Sequence, residues 1–366
     1  MSRSRRDLTD EQQTAEARSL RVWLVGFGTV GQWLAGVLAS GADRLARQYG
    51  VMLAVVGVSN RRDGFVYDGA GLDLDSLLGL VSAGRSIAEL PGVRCWPSTI
   101  EGLRATGADL LVEVTASPGT DGEPGLAHMR EALRRGIPVV TSNKWPVALH
   151  GVELAELARS RGVAFRAEST VMSGTPVLSA LVDGMAGAVP VAVRGLLNAT
   201  ANFILSRMAE GEAYEDALAE AQEAGLAERD PAADVEGHDA VAKLMILSAL
   251  VFGKQLRREQ VVCSGITGIA RSELDQAASD GARLKHVATL DFSDAAGAAG
   301  VAARVELQRV MGDDPLANVE GTTNAIVCRS DPIGEVTIMG PGAGPQLAGQ
   351  GVLSDLIAVA RSRTRN

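Results

Sequence analysis

RVWLVGFGTVGQWLAGVLAS, residues 21–40, decides how the chain folds. A β-rich run, Val22 to Val25, meets a glycine turn, and a helical pattern follows. Within the turn, Gly26-Phe27-Gly28-Thr29-Val30-Gly31 has the GxGxxG spacing. The spacing alone is weak; between a strand and a helix it predicts a dinucleotide site. The glycines allow a tight turn and bring backbone N–H groups close to a pyrophosphate at the helix N-terminus. The competing reading is a tight turn without a ligand.

Working outward, VMLAVVGVSN (51–60), ADLLVEVTAS (108–117) and GIPVVTSNK (136–144) read as buried strands, with the helical stretch AHMREALRRG between the last two. VELAELARSRG (152–162) reads as a helix and VAFRAEST (163–170) as a further strand. Such alternation predicts an α/β fold with a parallel, Rossmann-type sheet. Beyond residue 170 the character changes. VPVAVRGLLNAT reads as a strand, GEAYEDALAEAQEAG as an amphipathic helix ending at Gly225, and 240–252 as an apolar helix. Residues 255–330 read as short mixed elements, 294–303 as a loop, and TIMGPGAGPQLAGQGVLSDLIAVARS as a glycine loop followed by a helix.

Composition narrows the function. Of 366 residues, 46% are hydrophobic and 22% charged, as in a soluble globular protein. A net charge of −9 argues against nucleic acid as the main partner. No apolar run reaches the roughly 18 residues of a membrane span. The first twenty residues lack the apolar stretch of a signal peptide. Cys95, Cys263 and Cys328 are far apart and suit a reducing cytoplasm.

The cofactor's 2′ position is read at the end of the second strand. Ser59, Asn60, Arg61 and Arg62 stand there in place of an acid, and two guanidinium groups suit a 2′-phosphate, favouring NADP over NAD. A solvated arginine pair is the competing reading. Lys144 follows a strand end, where ligands of parallel sheets sit. In GLAERDPAADVEGHDAVAK (225–243), Glu228, Asp230, Asp234, Glu236 and Asp239 precede an apolar helix containing Lys243. Asp239 and Lys243 are four apart and share a helix face. A surface ion pair of about 0.2–0.5 kcal/mol is the plain reading. The apolar neighbours instead predict a buried lysine, whose lowered pKa suits proton donation. The upstream carboxylates then receive a substrate amino group, with Arg229 and Glu236 left to solvent.

These residues resemble homoserine dehydrogenases. The signature runs Ala221, Gly225, Glu228, Asp230-Pro231, Asp234, Gly237, Asp239, Lys243, and GFGTVG, VTSNK, AESTVMSGTPV, GLLNATANFILSRM and GPGAG follow the family's order from residue 21 to about 362. The regulatory ACT domain of longer members is missing, so the chain resembles the short form. The resemblance implies interconversion of L-aspartate 4-semialdehyde and L-homoserine, on the path from aspartate to threonine, methionine and isoleucine. Lys243 becomes the general acid/base, Lys144 binds or protonates the oxygen, and Asp239 orients the lysine. Glu228, Asp234 and Thr200 become substrate contacts. Gly342, Ala343 and Gly344 lie beside the nicotinamide, and Thr115 and Asn143 also belong to the cofactor site. Glu168, Val171, Ser173 and Thr175 match a segment that binds Na⁺, largely through carbonyls. The implied architecture is a polar tail (1–20), a Rossmann-type domain (21–150), an α+β substrate and dimerisation domain (151–325) and a C-terminal segment (326–366) returning to the first, in a homodimer.

Three positions depart from the family pattern: Ala199 for glycine, Leu226 for tyrosine, and Leu347 where threonine is common. They motivate a rival, a reductase of another small amino- or oxo-acid aldehyde. An acylating dehydrogenase fits worse, because no cysteine sits in a nucleophile motif. A non-catalytic dinucleotide sensor has no use for two such lysines.

Overall fold

The computed structural model describes residues 19–293 and 301–364. Most of the expected polar tail and of the 294–303 loop lies outside the described residues. Seven strands, β1 (Leu20–Val25), β2 (Leu53–Asn60), β3 (Gly64–Tyr67), β4 (Arg94–Trp96), β5 (Leu110–Glu113), β6 (Val139–Thr141) and β7 (Phe165–Arg166), form one sheet in the order β4-β3-β2-β1-β5-β6-β7. β2, β1, β5, β6 and β7 are parallel; β3 and β4 extend the edge antiparallel. Strand order reverses at β1, so a crevice forms beyond the carboxyl ends of β1 and β5.

Both faces of this sheet are covered, and β1 shows why. Val22 and Leu24 point into one core, Trp23 and Val25 into the other. α1 (Thr29–Tyr49) contributes Leu34, Leu38 and Leu45 to the first core. α2 (Lys144–Ser160) serves two cores: Leu154 and Ala158 pack under the first sheet, while Val147 and Ala148 join the core of the second. The helix kinks between them at His150, where φ is −136°.

The second sheet holds β8 (Val189–Leu196), β9 (Val262–Cys263), β10 (Ala282–Asp291), β11 (Ala302–Met311), β12 (Thr323–Asp331) and β13 (Gly334–Pro341), in the order β13-β12-β8-β10-β11-β9. Its pairs are antiparallel except β9 with β11. The expected short elements between 255 and 330 include three strands of nine or ten residues. Alternation is absent because β10 buries polar Lys285 and His286 among its apolar residues and β12 buries the whole run from Asn324 to Cys328. α3 (Ala199–Glu210) and α4 (His238–Leu250) pack on this sheet, and α5 (Pro345–Thr364) returns to the first domain, where Val352, Leu353, Leu356 and Val359 meet the α1 core. The expected strand at 163–170 is extended only over β7. Thr170 then donates to the Ala167 carbonyl, and a helical turn forms at Ser169–Met172.

Candidate active site

α4 buries every residue from Ala240 to Ala249, Lys243 included. A buried ammonium needs acceptors. Lys243 Nζ lies 2.9 Å from Asp239 Oδ2 and donates to the Leu197 carbonyl at 2.6 Å. Two of its three N–H positions are thereby used, leaving one for a ligand. Lys144, the first residue of α2, donates to the other Asp239 oxygen, Oδ1. A lysine at a helix N-terminus opposes the helix dipole. That local conflict, offset by Asp239, is expected where function sets the residue. Burial is the largest influence on Lys243 and pushes its pKa down, against the attraction of Asp239. Burial would also raise the Asp239 pKa, but the two lysines outweigh it and hold the carboxyl well below the usual range.

Asn198 ties the site together. As N-cap of α3 it accepts the Ala201 N–H at 2.7 Å; its amide donates to Asp234 at 2.6 Å and to Asp239 at 3.1 Å. It was not among the expected site residues, although an Asn preceding a helix is a readable N-cap signal. Asp234 therefore reaches the lysine pair through Asn198, and burial pushes its pKa up. Thr200 donates to the Leu226 carbonyl at 3.0 Å, and the Leu226 side chain packs against the buried cluster that holds Ala201, Ile204 and Leu205 of α3. Glu228 is exposed, and the Gln222 amide donates to its backbone carbonyl at 3.1 Å. Glu236, expected to be solvated, accepts from Thr267 at 2.7 Å.

The GxGxxG turn fits a dinucleotide. A Cβ on Gly26, where φ is +103°, would lie 2.7 Å from the Val114 carbonyl carbon and 2.8 Å from Thr115 N. A Cβ on Gly31 would lie 2.0 Å from the Gly26 carbonyl oxygen. A Cβ on Gly28 would meet no protein atom within 4 Å; it faces open space at the start of α1, which has no side-chain cap. Free first-turn N–H groups with room in front of them form an anion site. Phe27 is buried beneath the turn, while Thr29 and Val30 open α1.

The arginine pair is divided. Arg62 is bonded to Asp63 and to the carbonyls of Gly84 and Arg85. Asp63 also accepts from Asn60, Ser86 and the Ile87 N–H, and these bonds with Arg62 hold its pKa down to about 2 although burial opposes them. Arg62 is thus a brace. Arg61 is exposed at the strand end. The sequence reading overlooked Asp63, the acid that neutralises Arg62.

Thr115 and Asn143 come together beyond the carboxyl ends of the neighbouring strands β5 and β6, the Asn143 amide donating to Thr115 Oγ1 at 3.2 Å and lying 2.9 Å from Ser117 Oγ. The loop Gly342-Ala343-Gly344 is held by Ser173, whose hydroxyl donates to the Gly342 carbonyl at 3.0 Å, and by Thr175, bonded to the Pro341 carbonyl. Gly342 packs on the amide of Asn324, which is fully buried and finds no protein partner. Nearby, both carboxylate oxygens of Glu168 accept backbone N–H groups, from Val177, Leu178 and Ser179. The Thr175 carbonyl accepts the Val177 N–H, and Ser173 adopts a left-handed φ of 51° after Val171. Three of the roughly four acceptor positions of the Glu168 carboxylate are thereby taken by backbone N–H groups.

Two family models match the chain: "Homoserine dehydrogenase, NAD binding domain" over residues 26–168 and "Homoserine dehydrogenase" over 176–357. A curated relative from Pseudomonas canavaninivorans, named an NAD(+)-dependent homoserine dehydrogenase, is 39% identical over 93% of this chain and 96% of its own. The homoserine dehydrogenase of Methanocaldococcus jannaschii is 35% identical over 93% of this chain and 98% of its own. Among solved structures, a putative homoserine dehydrogenase from Archaeoglobus fulgidus superposes with a TM-score of 0.81 at 32% identity, covering 93% of this chain and 99% of that one. A hyperthermophilic archaeal homoserine dehydrogenase in complex with NADPH gives 0.78 at 30% identity, covering 94% and 98%. With the lysine–aspartate centre beside a dinucleotide crevice, these matches place the chain in the homoserine dehydrogenase family, nicotinamide-dependent oxidoreductases acting on a CH–OH group.

Proposed function

We propose that the chain interconverts L-aspartate 4-semialdehyde and L-homoserine with NADP preferred, as a cytoplasmic homodimer serving amino-acid synthesis from aspartate. The observation that carries this reading is the Lys144–Asp239–Lys243 chain, two cations on one carboxylate with an N–H of Lys243 unclaimed. When bound, a nicotinamide supplies the hydride chemistry. Lys243 gives its proton to the oxygen of the aldehyde carbon and takes it back in the reverse direction. Lys144 steadies that oxygen, and Asp239 sets both ammonium groups. Asp234 and Thr200 receive the substrate's amino group, with Glu228 at the mouth of the site. Gly26 to Gly31 cradle the pyrophosphate, and Thr115, Asn143 and the 342–344 loop flank the nicotinamide. A cation on the 168–175 segment would be held by backbone carbonyls, since the Glu168 side chain is committed, and no step runs through it.

The NADP preference rests on Arg61, the guanidinium left available at the strand end. A second reading, NAD, is favoured by the commitment of Arg62 to Asp63 and by the cofactor in the Pseudomonas relative's name. The homodimer reading is supported by the outer edge of β13, where Met339 is exposed, and by Ile333 in the adjoining turn. Nicotinamide absorbance, followed with L-homoserine and either NADP⁺ or NAD⁺, tests the proposal. Lys243→Met is expected to bind cofactor and reduce none of it. Arg61→Ala is expected to weaken NADP⁺ by about tenfold or more with little effect on NAD⁺. Turnover surviving in Lys243→Met would overturn the assignment.

A further inference from the structure

Glu113 ends β5 and is completely buried at the point where strand order reverses. Every group within bonding reach of its carboxylate is a donor. Oε1 accepts the Thr115 hydroxyl and, at 3.3 Å, the Thr115 N–H; Oε2 accepts the Asn143 amide at 3.1 Å. His128 Nδ1, at 3.6 Å from Oε1, stands just outside hydrogen-bond reach and has no hydrogen-bond partner among the described residues. The backbone repeats the tie: the Thr141 hydroxyl donates to the Glu113 carbonyl at 2.8 Å and accepts the Asn143 N–H at 2.9 Å.

Asn143 is in the N-cap position of α2, yet its side chain makes no cap bond. An Asn there ordinarily bonds the first-turn N–H groups. Here its Nδ2, with two hydrogens, lies within 3.2 Å of three acceptors, on Glu113, Thr115 and Ser117. Gly125 leaves the room: a Cβ at that position would lie 2.4 Å from Asn143 Nδ2. The next residue is Lys144, whose ammonium bonds Asp239. On the other side, the Thr115 backbone is what Gly26 is shaped to pass.

We propose that Glu113 is a positioning residue of the reaction: its carboxylate clamps Thr115 on the cofactor side and, through Asn143, fixes the start of α2 so that Lys144 meets Asp239. This rests on the reading of Thr115 and Asn143 as cofactor-side residues. An acceptor-only group is required because donors converge from both sides. A glutamine must turn an NH₂ toward one of them, releasing Asn143 or the Thr115 N–H.

The test uses the full-length enzyme with Glu113→Gln, reading cofactor affinity by calorimetric titration, kcat, and the pH profile of kcat. A displaced catalytic group costs up to about a hundredfold in rate. The expected result is kcat lower by about tenfold or more, a displaced pH profile, and weaker binding of NADP⁺ or NAD⁺ without substrate. A folded variant that binds cofactor and turns over like the parent overturns the proposal. Weaker cofactor binding with kcat and its pH profile intact overturns the coupling to Lys144. The opposite split keeps the coupling and refutes only the cofactor-side reading of Thr115 and Asn143. If Glu113→Gln does not fold, Asn143→Ala removes the link between Glu113 and the start of α2. It is expected to lower kcat by about tenfold and displace its pH profile, and a parent-like kcat and pH profile overturn the proposal.

Discussion

Asp355→Asn should make this protein more stable at alkaline pH, and by an amount that changes with pH in a defined way. Asp355 lies on α5, 4% exposed, with Oδ2 accepting the Glu168 N–H at 2.8 Å. Burial, first, and the nearby Glu168 carboxylate raise its pKa to about 7 from an ordinary 3.8; the Glu168 N–H and Arg166 oppose the rise. A folded pKa above the unfolded one means that the native state binds the proton more tightly. Its contribution is complete below the unfolded pKa and is lost as pH rises toward the folded pKa. Across that window of roughly three pH units, each costs about 1.4 kcal/mol, giving an upper limit near 4 kcal/mol. Asparagine keeps the acceptor for the Glu168 N–H and cannot ionise. Urea unfolding of parent and variant from pH 4 to pH 8.5 checks this. The two should nearly coincide near pH 4 and diverge progressively toward pH 7, with the variant more stable by about 1–4 kcal/mol above it. A pH-independent difference, or a variant less stable at pH 8, refutes the reasoning.

Replacing Asp239 with Asn leaves two cations facing a neutral amide. Turnover should fall by about a hundredfold or more and stability by about 3 kcal/mol, read by initial rates and denaturant titration. The glycine turn gives a contrast. Gly31→Ala would force a Cβ to 2.0 Å from the Gly26 carbonyl oxygen, so thermal stability and cofactor binding should both drop, whereas Gly28→Ala meets no protein atom and should melt like the parent while losing cofactor affinity. Parent-like cofactor affinity in Gly28→Ala would show that the space before α1 is not the pyrophosphate site.

The sequence by itself determined the features that repeat over a few residues. A glycine turn between a strand and a helix is a local pattern, so the first sheet and its crevice were legible from GFGTVG and the strands that follow. Lys243 was legible as buried because its neighbours are apolar all round. Asp239 lies one helical turn before it, and their contact follows from helix geometry alone. What only the tertiary structure decided involves partners far apart in the chain. Lys144 and Asp239 are 95 residues apart, and no periodicity links them. Asp63 turned one of two similar arginines into a brace, and Asn198 turned an N-cap into the junction of two carboxylates. A side chain's identity limits the bonds it can make; where its acceptors and donors stand is set by strands and helices that meet only on folding. The most consequential case is Glu113, an ordinary strand residue in sequence whose carboxylate is bonded by Thr115 and Asn143 only once β5 and β6 meet.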